Sequence, residues 1–160
     1  MPRRPQSGVT LFEMLIVVAL VGLLAGIAFP AMSSGLDSLR LNSASDSIVT
    51  FFNEGLNRAG ERQELVEIAI SQGDRTLVMH SSEPGFERNL RFPDGIAISR
   101  ILPELPGAGQ EPARRFVLYP DGTVPRFGIE IVNARGAGRR VSVDPITGVP
   151  RVETLEAAER

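Results

Sequence analysis

Ser7-Gly8-Val9-Thr10-Leu11-Phe12-Glu13 leads directly into the run Met14–Phe29 (MLIVVALVGLLAGIAF), which holds no charged side chain. With Leu11 and Phe12 the run approaches the ~20 residues that span a bilayer. Glu13 is the exception. An ionised acid at the bilayer centre costs up to roughly 3 kcal/mol on insertion scales, so a carboxylate here points to a partner or a task. Upstream, Arg3 and Arg4 supply the positive charge that holds such an end in the cytoplasm. Gly22 and Gly26 share one helix face and permit close helix–helix approach.

Three readings fit a basic start followed by an apolar core. In a cleaved secretory signal, the cut would fall near Ala31-Met32-Ser33. In a plain signal anchor, Glu13 would merely complete the first helical turn at the interface. In the third, the cut precedes the apolar helix, which is retained. The order Gly8-Val9-Thr10-Leu11-Phe12-Glu13 decides among them. It resembles the type IV prepilin leader, whose signature is Gly, an apolar residue, Thr-Leu, any residue, then Glu. Val9 stands where Phe is commoner. The resemblance implies cleavage between Gly8 and Val9 by a prepilin peptidase and methylation of the new amine of Val9. It implies a kink at Pro30, and an assembly role for Glu13 with Thr10 and Leu11. Glu13 would then lie one turn from the new amine and pair with the amine of a neighbouring subunit. A buried charge is tolerated when paired and penalised when alone.

Downstream, Leu36, Leu39, Ala44, Ile48, Phe51, Phe52, Leu56 and Ala59 recur at helical spacing, and Gly60 marks a stop. The expectation is one long helix, its half over 9–30 in the membrane and its half over 31–60 amphipathic. A sheet should cover the amphipathic half. Strands are expected at 65–70, 76–80, 90–92, 96–102, 116–119, 128–132, 140–143 and 149–152, separated by Gly- and Pro-rich turns. Pro-Asp-Gly occurs twice, at 93–95 and 120–122, as turn chemistry. Residues 103–112 read as a connecting loop, 61–153 as the β domain, and 154–160 as an acidic tail that frays or forms a short helix.

The chain has 160 residues, no cysteine, and 17 basic against 19 acidic residues, every basic one an arginine. A net charge of −2 gives no global pull toward nucleic acid. No disulfide or thiolate chemistry is possible. His80 is the sole histidine, and Asp94, Asp121 and Asp144 sit in turns without ligand spacing. No metal, cofactor or small-molecule substrate is expected, and no enzyme.

The second half carries a narrower resemblance. Phe116 to Gly122, a strand to Val132, then Arg140 to Val149 with Asp144-Pro145-Ile146-Thr147-Gly148 is similar to the C-terminal pattern of the GspH/FimT-like family. That resemblance implies an α+β, pilin-like fold and a minor pseudopilin of type II secretion. It implies a single pass through the bacterial inner membrane with the C-terminal domain in the periplasm. Its partners would be other pseudopilins at a filament tip, the prepilin peptidase and the inner-membrane secretion platform. A FimT-like minor pilin acting in DNA uptake or fibre assembly is the alternative. It would need a basic surface, for which Arg135, Arg139, Arg140 and Arg151 are candidates, opposed by Glu153, Glu156 and Glu159. Nucleic acid is therefore not the expected partner.

Overall fold

The computed structural model describes residues 10–105 and 113–155, with backbone alone over 28–34. One helix, α1 (Leu11–Arg62), precedes eight strands: β1 (Val66–Ser71), β2 (Thr76–Ser81), β3 (Glu87–Arg91), β4 (Ile96–Leu102), β5 (Arg114–Leu118), β6 (Phe127–Asn133), β7 (Gly138–Val143) and β8 (Pro150–Leu155). This is the expected α+β class. The chain divides into two units, Met1–Leu36 and Asp37–Arg160.

In the first unit the helix exposes apolar side chains on every side. Leu11 is 85% exposed, and the consecutive Leu15, Ile16, Val17 and Val18 are all exposed. A helix apolar all round needs a lipid or protein environment to cover it. The backbone is helical through Pro30, as expected. Among the described residues, no helix is long and apolar enough to cross a membrane.

In the second unit the helix buries Leu41, Ala44, Ile48, Phe51, Phe52 and Ala59. Leu39, expected on this face, is instead 64% exposed, and Leu36, expected there too, closes the first unit and is 52% exposed. The buried row is 41, 44, 48 and 52, and a 3.6-residue period carries Leu39 off it. Gly60 does not stop the helix, which continues to Arg62. The terminus is made by Gln63, which takes the left-handed conformation (φ 57°) and donates from its side-chain amide to the Gly60 carbonyl at 2.7 Å.

All strand pairing is antiparallel, in two four-stranded sheets of order β3-β2-β1-β5 and β4-β6-β7-β8. Buried residues alternate along β1 (Val66, Ile68 and Ile70), β4 (Ile96 and Ile98) and β5 (Phe116 and Leu118), whereas β6 is buried on both faces and β3 and β8 bury no side chain. Gly55 lets α1 approach the first sheet closely. A Cβ there would stand 3.0 Å from Met79 Cε and 3.2 Å from Leu118 Cδ1. Phe127 of β6 meets Phe52 of α1 edge-on and Phe116 of β5 in a stack, each at 4.9 Å between centroids. Three rings thus join the helix and both sheets in one core.

β8 runs to Leu155, two residues beyond the expected end of the β domain. The extension is paired, Gly138 with Leu155, and Leu155 packs over the space Gly138 leaves. A tail fraying from residue 154 is corrected accordingly. Residues 156–160 lie outside the description.

Candidate assembly and anchoring site

Gly8 and Val9, the expected cleavage pair, lie outside the described residues. The site begins at Thr10. Among the described residues the helix starts at Leu11, and Thr10 caps it: the Glu13 N–H lies 3.2 Å from the Thr10 hydroxyl oxygen, and the Met14 N–H donates to the Thr10 carbonyl at 3.2 Å. Thr10-Leu11-Phe12-Glu13 has the spacing of a capping box, in which the hydroxyl satisfies an orphan N–H of the first turn. Glu13 is the acid of that turn, where the helix dipole favours an anion. Its carboxylate is exposed among exposed apolar neighbours, Phe12 at 72% and Met14 at 54%. Thr10, Leu11 and Glu13 therefore fall together in one helical turn.

The arginines proposed for a basic surface are mostly spent on carboxylates. Arg135 meets Asp37 at 2.9 Å, and Arg151 meets Asp144 at 3.1 Å. Arg140 meets Glu130 at 2.7 Å and Glu153 at 3.3 Å, and the Glu130 hydrogen bonds hold its guanidinium above the ordinary arginine value. Glu130 is a buried acid on the middle of the second sheet, with Arg100 at 3.9 Å on its other side. Clustered free cations are what phosphate binding needs, and these three are neutralised.

The turn acids make local hydrogen bonds. Asp121 accepts from the Thr123 N–H at 2.9 Å, and Asp144 from the Ile146 and Thr147 N–H groups at 2.9 and 3.3 Å. Both carboxyls lie below their ordinary value, Asp121 through Thr123 and Asp144 through Ile146, then Thr147 and nearby arginines. His80 is exposed at the end of β2, 4.0 Å from Glu87. Among the described residues, no three potential metal-binding side chains come together.

A second ion-pair group closes the far end of the helix. Arg58 binds Glu64 at 2.8 Å and Glu83, and lies 3.6 Å from the centre of the Phe86 ring. Burial alone would raise the Glu64 carboxyl, but the Ser81 hydrogen bond and Arg58 outweigh it and hold the group low. None of these residues stood out in the sequence, because their partners are distant along the chain.

Residues 3–29 match the prokaryotic N-terminal methylation motif. No curated protein sequence matches the chain. Among solved structures, the minor pseudopilin EpsH from the Type 2 Secretion System of Vibrio cholerae is similar in fold, with a TM-score of 0.55 and 14% sequence identity. The match covers 75% of this chain and 99% of that one. The long helix on two antiparallel sheets is thus a pilin-like fold, and its N-terminal stretch carries a prepilin-like methylation motif.

Proposed function

We propose that the chain is an H-type minor pseudopilin, a structural subunit of the periplasmic filament that helps drive type II secretion. Prepilin peptidase cuts between Gly8 and Val9, and Val9 is methylated. Residues 9–30 anchor the subunit in the inner membrane with a bend at Pro30, and the β domain stands in the periplasm. There it contacts other pseudopilins and the secretion platform. Glu13 pairs with the Val9 amine of the neighbouring subunit.

The observation that carries this reading is the ordered run Gly8 to Glu13 leading into a helix whose apolar side chains are exposed on every side. Such a helix is covered by lipid before assembly and by other helices after it. The pilin-like fold and the methylation motif support it. The ion-paired state of Arg135, Arg140 and Arg151 speaks against the DNA-uptake alternative.

Gly8→Ala tests the leader. In cells with prepilin peptidase, wild-type protein should lack residues 1–8 and carry a methylated Val9 by mass, while the variant keeps its full length. Normal maturation of the variant would sink the reading. A gel shift with duplex DNA tests the rival, which requires binding that weakens steeply with salt.

A further inference from the structure

A crevice of about 130 Å³ opens between α1 and β3 with its following turn, lined by Arg40, Ser43, Ser47, Leu90, Arg91 and Phe92. It lies near the end of the second unit where the chain enters, since that unit begins at Asp37. Its volume is roughly that of four waters, room for one phosphate group.

Its charge is unbalanced. Arg40 has Asp37 at 3.7 Å, but that carboxylate is held more closely by Arg135, at 2.9 Å. Arg91 meets no carboxylate within 4.0 Å among the described residues. Of the nearby acids, Asp94 is paired to Arg75 at 3.3 Å, and Asp46 lines the neighbouring groove. Ser47 donates its proton to the Ser43 carbonyl, while the Ser43 hydroxyl makes no hydrogen bond among the described residues. Two guanidinium groups, an uncommitted hydroxyl and the apolar Leu90 and Phe92 are donors and walls suited to a compact oxyanion. Arginine matches phosphate oxygens in charge and in planar geometry.

Leu39 decides the source of that oxyanion. It directly precedes Arg40, shares a helix face with Ser43 four residues on, and is 64% exposed. An exposed leucine beside an arginine offers an acyl chain an apolar contact next to the phosphate contact, one that free phosphate would leave unused. We propose that the crevice binds the phosphodiester of an anionic phospholipid, with Arg40 and Arg91 on the phosphate oxygens and Leu39 against the acyl chains. The inference rests on the membrane-anchored reading above. It adds that the periplasmic domain itself is held on the bilayer surface until the subunit is drawn into a filament.

The test uses the full chain, labelled with 15N-arginine, in neutral detergent micelles. Its Arg40 and Arg91 side-chain signals are assigned with Arg40→Gln and Arg91→Gln. Short-chain phosphatidylglycerol should shift these two signals selectively, at concentrations about tenfold below those inorganic phosphate requires. Arg91→Gln, a change at an exposed position, should weaken the Arg40 response about tenfold. Equal or stronger shifts with inorganic phosphate, or with a DNA duplex, overturn the lipid assignment. Uniform shifts across all arginines, or none, overturn the site. Alkaline carbonate extraction of cell membranes separates the premise: a chain released as soluble protein sinks the anchored reading, whereas a retained chain with silent Arg40 and Arg91 sinks only the crevice.

Discussion

Arg140 places both Nε and Nη2 against a single carboxylate oxygen of Glu130, at 2.9 and 2.7 Å. Glu130 is buried on the outer face of the second sheet, while Arg140 is about one-third exposed and keeps Glu153 as a second partner. The two ends of the pair are therefore unequal. Removing the arginine strands a buried anion with only Arg100, at 3.9 Å. Removing the acid leaves a cation that still has water and Glu153. Arg140→Met should cost about 3 kcal/mol and Glu130→Gln about 1 kcal/mol. Urea unfolding of the chain in non-ionic detergent measures both. Equal costs would mean that the burial of Glu130 does not set the balance.

Two glycines in the second unit should respond to alanine in opposite directions. Gly60 lies inside α1 with nothing within 4 Å of a built Cβ. Gly60→Ala should stabilise by about 0.5–1 kcal/mol through helix propensity. Were Gly60 the helix stop that its sequence position implies, the same change would destabilise. Gly128 is the contrast. A Cβ there would stand 2.8 Å from the Val141 carbonyl oxygen and 3.0 Å from Ser142 Cα. Backbone cannot move aside as a side-chain tip can, so Gly128→Ala should cost about 1–3 kcal/mol. Thermal midpoints of the two variants check the pair.

The contrast between Gly60 and Gly128 shows what the sequence exposes. Local patterns were legible. Period-two runs such as Ile129 and Ile131, punctuated by Pro93-Asp94-Gly95 and Pro120-Asp121-Gly122, located every strand to within a few residues. The N-terminal methylation motif was legible because its residues are contiguous. What depends on distant pairing was not. Nothing near β4 says that it leaves β3 to pair with β6, Ile98 opposite Ile131. Nothing near Arg135 says that Asp37 will meet it. The turn arginines were candidates for phosphate opposed by the acids that follow them, but the pairs that hold Arg135 to Asp37 and Arg140 to Glu130 join residues that no local pattern connects. Leu36 and Leu39 looked like core because a spacing of three to five admits more than one helical row.

Acid should destabilise the fold at a predictable point. Asp144 is held below its ordinary value of 3.8 by the Ile146 and Thr147 N–H groups, and Asp121 likewise by Thr123. A carboxyl lowered in the folded state binds protons more readily when unfolded. Its contribution is therefore complete above the unfolded value and is lost as pH falls through the folded one. The thermal midpoint should hold from neutral pH to about pH 5 and then fall below about pH 4. Asp144→Ala should start lower at neutral pH and lose less on acidification. Parallel curves for wild type and variant would exclude Asp144 as a contributor.

Thr10 and Glu13 share one turn but need not share one role, and substitution separates them. The Thr10 hydroxyl caps the helix through the Glu13 backbone N–H, a bond that does not involve the Glu13 carboxylate. Thr10→Ala should cost about 1 kcal/mol of helix stability and leave the carboxylate free to pair. Glu13→Ala keeps the cap and removes the charge, so the neighbour's amine would face apolar surface without a partner. An unpaired charge in such surroundings costs several times the cap. Both variants should insert in the membrane. Filament incorporation, measured as sheared or cross-linked polymer, should stay near normal for Thr10→Ala and fall about tenfold or more for Glu13→Ala. If the two variants are equally impaired, the turn matters as a cap and the pairing role of Glu13 is lost. If neither is impaired, assembly does not depend on this turn.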